Sequence, residues 1–176
     1  MAGTAAYGLA ITPDGRVMAT GNQYPQKSRI ANGHVAVSDQ SLYVTALDPQ
    51  GQLLWANTAT SPNGFCTGRQ LQIEQGTEQL VLGGLYRGKH FSISNSSFFH
   101  AENTSGDNFF IARLSSTGNW LSTLHAGSHS GYSAASINSP CLSLSPGSSY
   151  ATIAGVFGFR FKVWNLTLTQ PGMFNE

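Results

Sequence analysis

The chain has 176 residues, the size of a single domain that can bury a substantial core. Apolar residues make up 40% of it and charged residues only 10%, with nine Lys and Arg against eight Asp and Glu. This balance excludes charge-driven disorder, and the scattered basic residues predict no nucleic-acid partner. The chain has neither an apolar run long enough for a membrane helix nor the pattern of an export signal near Met1, so we expect a soluble protein without membrane insertion.

Residues that break helices are spread along the whole sequence. Gly, Pro, Asn or Ser interrupts every window of about a dozen residues, and no segment keeps an apolar period of about 3.6 residues. The sequence therefore predicts one all-β domain over residues 1–176.

A first hairpin pattern occurs near the start of the chain. Leu9 and Ile11 alternate before the turn Thr12–Gly15, and a short apolar run ends at Gly21. Alternation, a Gly-ended turn and a second run are typical of a β-hairpin. The pattern returns at Leu71 to Gly83, turning around Gly76, and at Leu142 to Gly155, turning at Ser145–Gly147.

A second hairpin pattern follows each of the first two copies. An apolar run, a four-residue turn ending in Gly and another apolar run together predict two further strands. One unit then has four strands joined as two hairpins, which is typical of a β-propeller blade. The segments are Leu42–Leu47, Asp48–Gly51 and Gln52–Trp55, and later Phe109–Leu114, Ser115–Gly118 and Asn119–Leu121.

The two patterns together resemble the bacterial SBBP-type β-propeller repeat. Gly8–Gly15 is similar to its first half, G-x-A-x-D-x-x-G-N, with Thr12 where the family prefers Asp. Asp107–Leu121 is similar to its second half, D-x-F-x-A-K-L-x-x-x-G-N-x-x-W, with Arg113 where the family prefers Lys. The resemblance implies propeller blades and, since such repeats occur mostly in surface or secreted bacterial proteins, an extracellular or cell-surface location.

The number of units leaves the predicted fold open. Two complete units, at about 5–62 and 63–128, precede a partial one at 129–176 whose second half is a short hairpin at Phe159–Thr169. Closed propellers need about four to eight blades, so apolar blade faces would stay uncovered and mark an association surface. We expect a homo-oligomer or filament, or a piece of a larger ring; a β-sandwich is the alternative.

Two long connections separate the hairpins, at residues 22–40 and 86–106. Connections of this length carry function more often than short ones. Val35–Val37 and Phe91–Ile93, however, alternate like short strands. The favoured interpretation is that these segments add strands rather than bind a ligand.

Candidate catalytic groups are sparse. His125 and His129 are spaced like metal ligands on a helix, but Gly127 between them favours a loop. The carboxylates occur mostly in turns, where Asp caps the backbone. We therefore predict no enzyme activity, no catalytic residue, no cofactor and no metal. The other residues considered are His34, His90, His100, Asp14, Asp39, Asp48, Glu74, Glu78 and Asp107.

Aromatic and cysteine residues allow two interpretations each. Aromatics within predicted strands are expected to pack in the core, whereas those in the long connections are better candidates for ligand contacts, without defining a binding site. Cys66 and Cys141 form either a disulfide between units or free buried thiols. The core aromatics are Tyr43, Trp55, Phe109, Phe110 and Trp120; those in the connections are Tyr24, Tyr86, Phe98 and Phe99.

Three functions fit these features. The favoured one is a non-catalytic structural or adhesive module that acts through self-association and protein contacts. A carbohydrate-binding propeller is the second, and a scaffold piece of a longer hydrolase is the third. Fold alone does not decide between them.

Overall fold

The computed structural model describes residues 4–24, 28–30, 33–35, 40–93, 97–100, 107–128, 138–144, 151–156, 160–163 and 166–169. These residues form strands and turns without a helix, which confirms the all-β prediction. The strands are β1 (Thr4–Ile11), β2 (Val17–Gln23), β3 (Ser28–Ile30), β4 (Gly33–Val35), β5 (Ser41–Leu47), β6 (Leu53–Thr60), β7 (Phe65–Ile73), β8 (Leu80–Arg87), β9 (His90–Ile93), β10 (Ser97–His100), β11 (Asn108–Leu114), β12 (Trp120–Ser128), β13 (Asn138–Leu144), β14 (Ala151–Val156), β15 (Arg160–Val163) and β16 (Leu166–Thr169).

Two open antiparallel sheets dominate the molecule. The first sheet has the order β1-β2-β5-β6-β9-β10, and the second has the order β16-β15-β12-β11-β8-β7. Two short hairpins, β3–β4 and β13–β14, form separate two-stranded sheets. Each large sheet therefore contains one four-strand set of the predicted composition, β1-β2-β5-β6 in the first and β7-β8-β11-β12 in the second.

The hairpins of the two sets lie where the sequence predicts them, and three of their turns share one geometry. In the turns starting at Thr12, Asp48 and Ser115, the first carbonyl accepts the N–H of a Gly at 2.9, 2.9 and 3.0 Å. That Gly has a φ of 85°, 81° or 89°. A β-carbon is disfavoured in this left-handed conformation, so Gly at the end of each turn fixes the hairpin register.

The two long connections contribute strands, as favoured above. β3–β4 lies in the first connection and β9–β10 in the second. The β9–β10 hairpin does not join the second sheet. Instead β9 pairs with β6 of the first sheet, with Ala59 opposite Ile93 and Thr60 opposite Ser92. One edge of the first sheet is thus extended by a hairpin from further along the chain.

The predicted hairpin at Phe159–Thr169 corrects one expectation. It exists as β15–β16, but it does not complete a third set with β13–β14. Instead β15 pairs with β12, so that Ala126 lies opposite Val163. The reason is topological: β15–β16 extends the second sheet in the same way that β9–β10 extends the first.

The core lies between the two large sheets. Leu42, Val44 and Ala46 of β5 are fully buried against a cluster from the second sheet that includes Leu80 and Leu82. β7 contacts β1, β2 and β5, and β13 packs against β7 and β8. Successive first strands of the units are therefore neighbours in space.

An aromatic stack crosses this core. The ring of Phe91, on β9, lies 4.9 Å from that of Tyr86 and 4.7 Å from that of Phe110. All three side chains are fully buried. Since β9 belongs to the first sheet and the other two residues belong to the second, the stack joins the sheets.

Candidate functional site

The histidines do not assemble into a metal site in the described part of the chain. No three His, Cys, Asp or Glu side chains come together there. His125 is half-buried, with Nδ1 3.5 Å from the Tyr86 hydroxyl, and burial lowers its pKa. His129 and the side chains of His34 and His100 lie outside the described residues.

Asp48 caps the backbone of its own turn, as predicted, whereas Asp14 bonds mainly to neighbouring side chains. Asp48 Oδ1 accepts two N–H groups of its own turn at 3.0 and 2.7 Å. Asp14 accepts a hydrogen bond from the Thr12 hydroxyl and pairs with Arg16 at 2.7 Å, and these contacts lower its pKa, the Thr12 bond most. Asp39 lies outside the described residues.

Ion pairs use three of the four arginines whose side chains are described. Arg16 also reaches Glu78, which connects the turns of the two sheets. Arg69 is the fourth and has no ion pair with the described residues. Besides Arg16–Asp14, the pairs are Arg16–Glu78 at 2.9 Å, Arg87–Asp107 at 2.7 Å and Arg113–Glu74 at 3.3 Å.

The aromatic residues mostly serve the core. Tyr43, Phe109 and Phe110 are buried as predicted. Tyr86 differs from the prediction that places it in the long connection: β8 continues through it and its side chain is fully buried, which raises its pKa to about 12. Tyr24 is exposed. Trp55 and Trp120 are partly buried against the core, and the side chains of Phe98 and Phe99 lie outside the described residues.

Cys66 is a free thiol in the core, so of the two interpretations for this residue the disulfide is wrong. Its sulfur accepts the Leu42 N–H at 3.2 Å and donates to the Ala59 carbonyl at 2.9 Å. Burial raises its pKa from 9.0 to about 12. A buried, protonated thiol has a structural role and little nucleophilicity.

This burial predicts a pH-dependent stability. The unfolded chain releases the Cys66 proton near pH 9.0 and the folded protein only near 12, so the stabilisation from the protonated thiol is complete below pH 9 and is lost as the pH rises toward 12. In urea titrations over this range, wild type should lose stability relative to Cys66→Ser, which keeps a hydroxyl donor that does not titrate. A stability difference independent of pH would contradict the assignment.

An exposed apolar strip runs along β1. Tyr7, Leu9 and Ile11 expose 47%, 63% and 63% of their surface. We call these three residues the β1 strip. Leu9 lies opposite Ala19 and Ile11 opposite Val17, so the strip is part of the outward face of the first sheet. On the same face Tyr43 and Thr45 of β5 are buried, so the exposed part of this face lies along β1.

The second sheet shows what the same position looks like when it is covered. Leu71 stands two residues before the end of β7, as Leu9 does in β1, and it lies opposite Leu82. Leu71 is only 5% exposed because the first sheet covers it. No described residue provides that cover for Leu9 and Ile11.

The β11–β12 and β5–β6 turns differ in the same way, since the first is covered and the second is exposed. Trp55 Nε1 on β6 donates to the Ser116 carbonyl at 3.1 Å, and Asn57 Nδ2 donates to the Gly118 carbonyl at 2.5 Å. Two hydrogen bonds thus connect the first sheet to the β11–β12 turn of the second sheet. The matching β5–β6 turn is exposed, and a β-carbon at Gly51 would have no atom within 4 Å.

Comparison with protein-family models, curated proteins and solved structures finds no match. No helix in the described ranges is long and apolar enough to cross a membrane. The candidate functional site is therefore defined by the chain's own geometry. It consists of the β1 strip and the exposed β5–β6 turn.

Proposed function

We propose that this protein is a non-catalytic structural or adhesive module of β-propeller type that acts by stacking on further copies of itself. The observation that carries the proposal is the contrast between Leu71, buried by the first sheet, and Leu9, exposed at the matching position. A surface that is complementary to another surface of the same molecule, but offset from it, leads to head-to-tail assembly.

The repeated topology supports the treatment of each four-strand set as a blade. Both sets have the same antiparallel order, and each accepts a later hairpin at its last strand. β7 packs against β1, and β13 packs against β7, as the first strands of successive blades do around an axis. Within the chain, the first sheet already covers the face of the second sheet that carries Leu71.

A second candidate surface for association is the edge of strand β14. In both sets the second strand pairs with a third, β2 with β5 and β8 with β11. Among the strands that the structure describes, β14 pairs only with β13. The free edge of β14 can accept a strand from another copy or from a longer chain, since unpaired edges promote strand addition.

The proposed setting is a bacterial cell surface or the extracellular space. It rests on the resemblance to SBBP-type repeats and on the low charge of the sequence. Peptides of this protein recovered from the surface or culture-supernatant fraction of the native host would support this location, and their recovery only from the cytosol would oppose it.

Sedimentation velocity tests the association. Wild type should shift to larger species between about 1 and 100 µM, the range of weak self-association. Ile11→Asp should remain smaller at every concentration, because a carboxylate on the open face opposes apolar packing. At an exposed position the substitution should change folding stability by only about 0.5 kcal/mol.

The matched control is Leu121→Asp, which places the same charge on another exposed leucine, on β12. It should associate like wild type. A wild type that stays a folded monomer over the whole concentration range, or equal effects of the two substitutions, would overturn the proposal.

A further inference from the structure

Matching bulges distort the first strands of the two sets. The strand pairing shifts between Ala6 and Gly8 in β1 and between Gly68 and Gln70 in β7. The intervening residues are Tyr7 and Arg69. A bulge redirects its side chain out of the regular alternation of the strand, and bulges often occur beside functional sites. Here the two redirected side chains meet, with the Arg69 guanidinium carbon 4.6 Å from the centre of the Tyr7 ring.

The charge of Arg69 is not matched by the described chain. It lacks an ion pair with the described residues, and its Nε is buried without a hydrogen-bond partner. A buried donor without a partner is costly, more so when the group is charged. Within the described residues the guanidinium therefore carries an uncompensated positive charge.

A groove of about 210 Å³ lies beside this guanidinium. Tyr7, Gly8 and Leu9 form one wall and residues 69–72 the other, so the groove follows the junction of β1 with β7. None of these residues is acidic. The volume is below the roughly 300 Å³ of small-molecule pockets, so it suits a small group or the end of a larger molecule.

Arg87 shows the same arrangement with its acceptor in place. Its guanidinium carbon lies 5.0 Å from the centre of the Phe65 ring, and its nitrogens bind the Asp107 carboxylate at 2.9 and 2.7 Å. In this arrangement an aromatic ring lies beside the guanidinium while a carboxylate accepts its N–H groups. Arg69 has the aromatic ring, but no carboxylate of the described residues pairs with it.

We propose that the groove between β1 and β7 binds a small carboxylate at Arg69. The carboxylate accepts N–H bonds from the guanidinium, while the Tyr7 ring packs against the guanidinium. The groove lies within one copy of the chain, and Tyr7 and Leu9 of the β1 strip line it.

Calorimetric titration at constant ionic strength tests it with two probes. N-acetylglycine represents a peptide carboxylate and galacturonate an acidic sugar; saturable binding of either supports the site, and the tighter probe identifies the source. Arg69→Gln should weaken binding at least about tenfold, the loss expected for a charged hydrogen bond. Arg69→Lys should also weaken it, because a lysine keeps the charge but not the planar donor pair.

Arg113→Gln is the control, since it removes the same charge from a side chain that does not line the groove, and it should bind like wild type. Tyr7→Phe keeps the ring and should retain binding. The absence of saturable binding to wild type, equal binding by wild type and both Arg69 variants, or inorganic phosphate binding as tightly as the carboxylates would overturn the proposal.

Discussion

Replacement of Phe91 by alanine is expected to lower the free energy of unfolding by about 3–5 kcal/mol. Phe91 is fully buried and stacks with Tyr86 and Phe110 from the opposite sheet. Truncation removes these contacts and leaves a cavity where the sheets meet. A domain of this size has a stability of about 5–15 kcal/mol, so the loss is a large fraction of the total. Urea unfolding followed by tryptophan fluorescence measures it.

Two further variants make this result interpretable. Phe91→Leu fills part of the space and should cost clearly less than alanine. Leu121→Ala truncates an exposed residue on β12 and should change stability by about 0.5 kcal/mol or less. If Phe91→Ala cost no more than Leu121→Ala, the aromatic stack would not join the sheets as described.

The second large effect is expected at Gly118. Its φ of 89° disfavours any β-carbon, and a β-carbon there would lie 2.7 Å from Cδ2 of Trp55. Gly118→Ala should therefore destabilise through both backbone strain and overpacking against a rigid ring, by about 3 kcal/mol together. The same variant should weaken the hydrogen bonds that Trp55 and Asn57 donate to the β11–β12 turn.

Gly51 provides a matched control. It ends the equivalent turn with a φ of 81°, but no atom lies within 4 Å of an added β-carbon. Gly51→Ala should show only the backbone strain, about 1 kcal/mol. The difference between the variants in thermal or urea unfolding measures the turn–Trp55 contact. Equal losses would mean that the two sheets do not interlock at this turn.

Local signals account for what the sequence predicted well. Alternating apolar residues followed by a Gly-ended turn need only neighbouring residues to specify a hairpin, so β1–β2, β5–β6, β7–β8 and β11–β12 could all be predicted. Where the β9–β10 and β15–β16 hairpins would pair could not, because that choice depends on edges formed by distant strands. The end of β8 could not be predicted either, because no turn signal in the sequence marks whether the strand continues through Tyr86.

The groove has an even weaker sequence signal. Tyr7 and Arg69 become neighbours because two bulges shift the strand register and two sheets pack together. Neither condition can be inferred from the short segments around them. The open face was easier to anticipate, since a count of units already indicated apolar surfaces without cover.

The pairing of β9 with β6 also affects how the protein is made. The first sheet lacks its last two strands, and the core lacks Phe91, until synthesis has passed residue 100. Folding during translation therefore cannot finish one unit before the next begins to emerge from the ribosome. A recombination event that duplicated or deleted a single unit would change the strands of its neighbour as well.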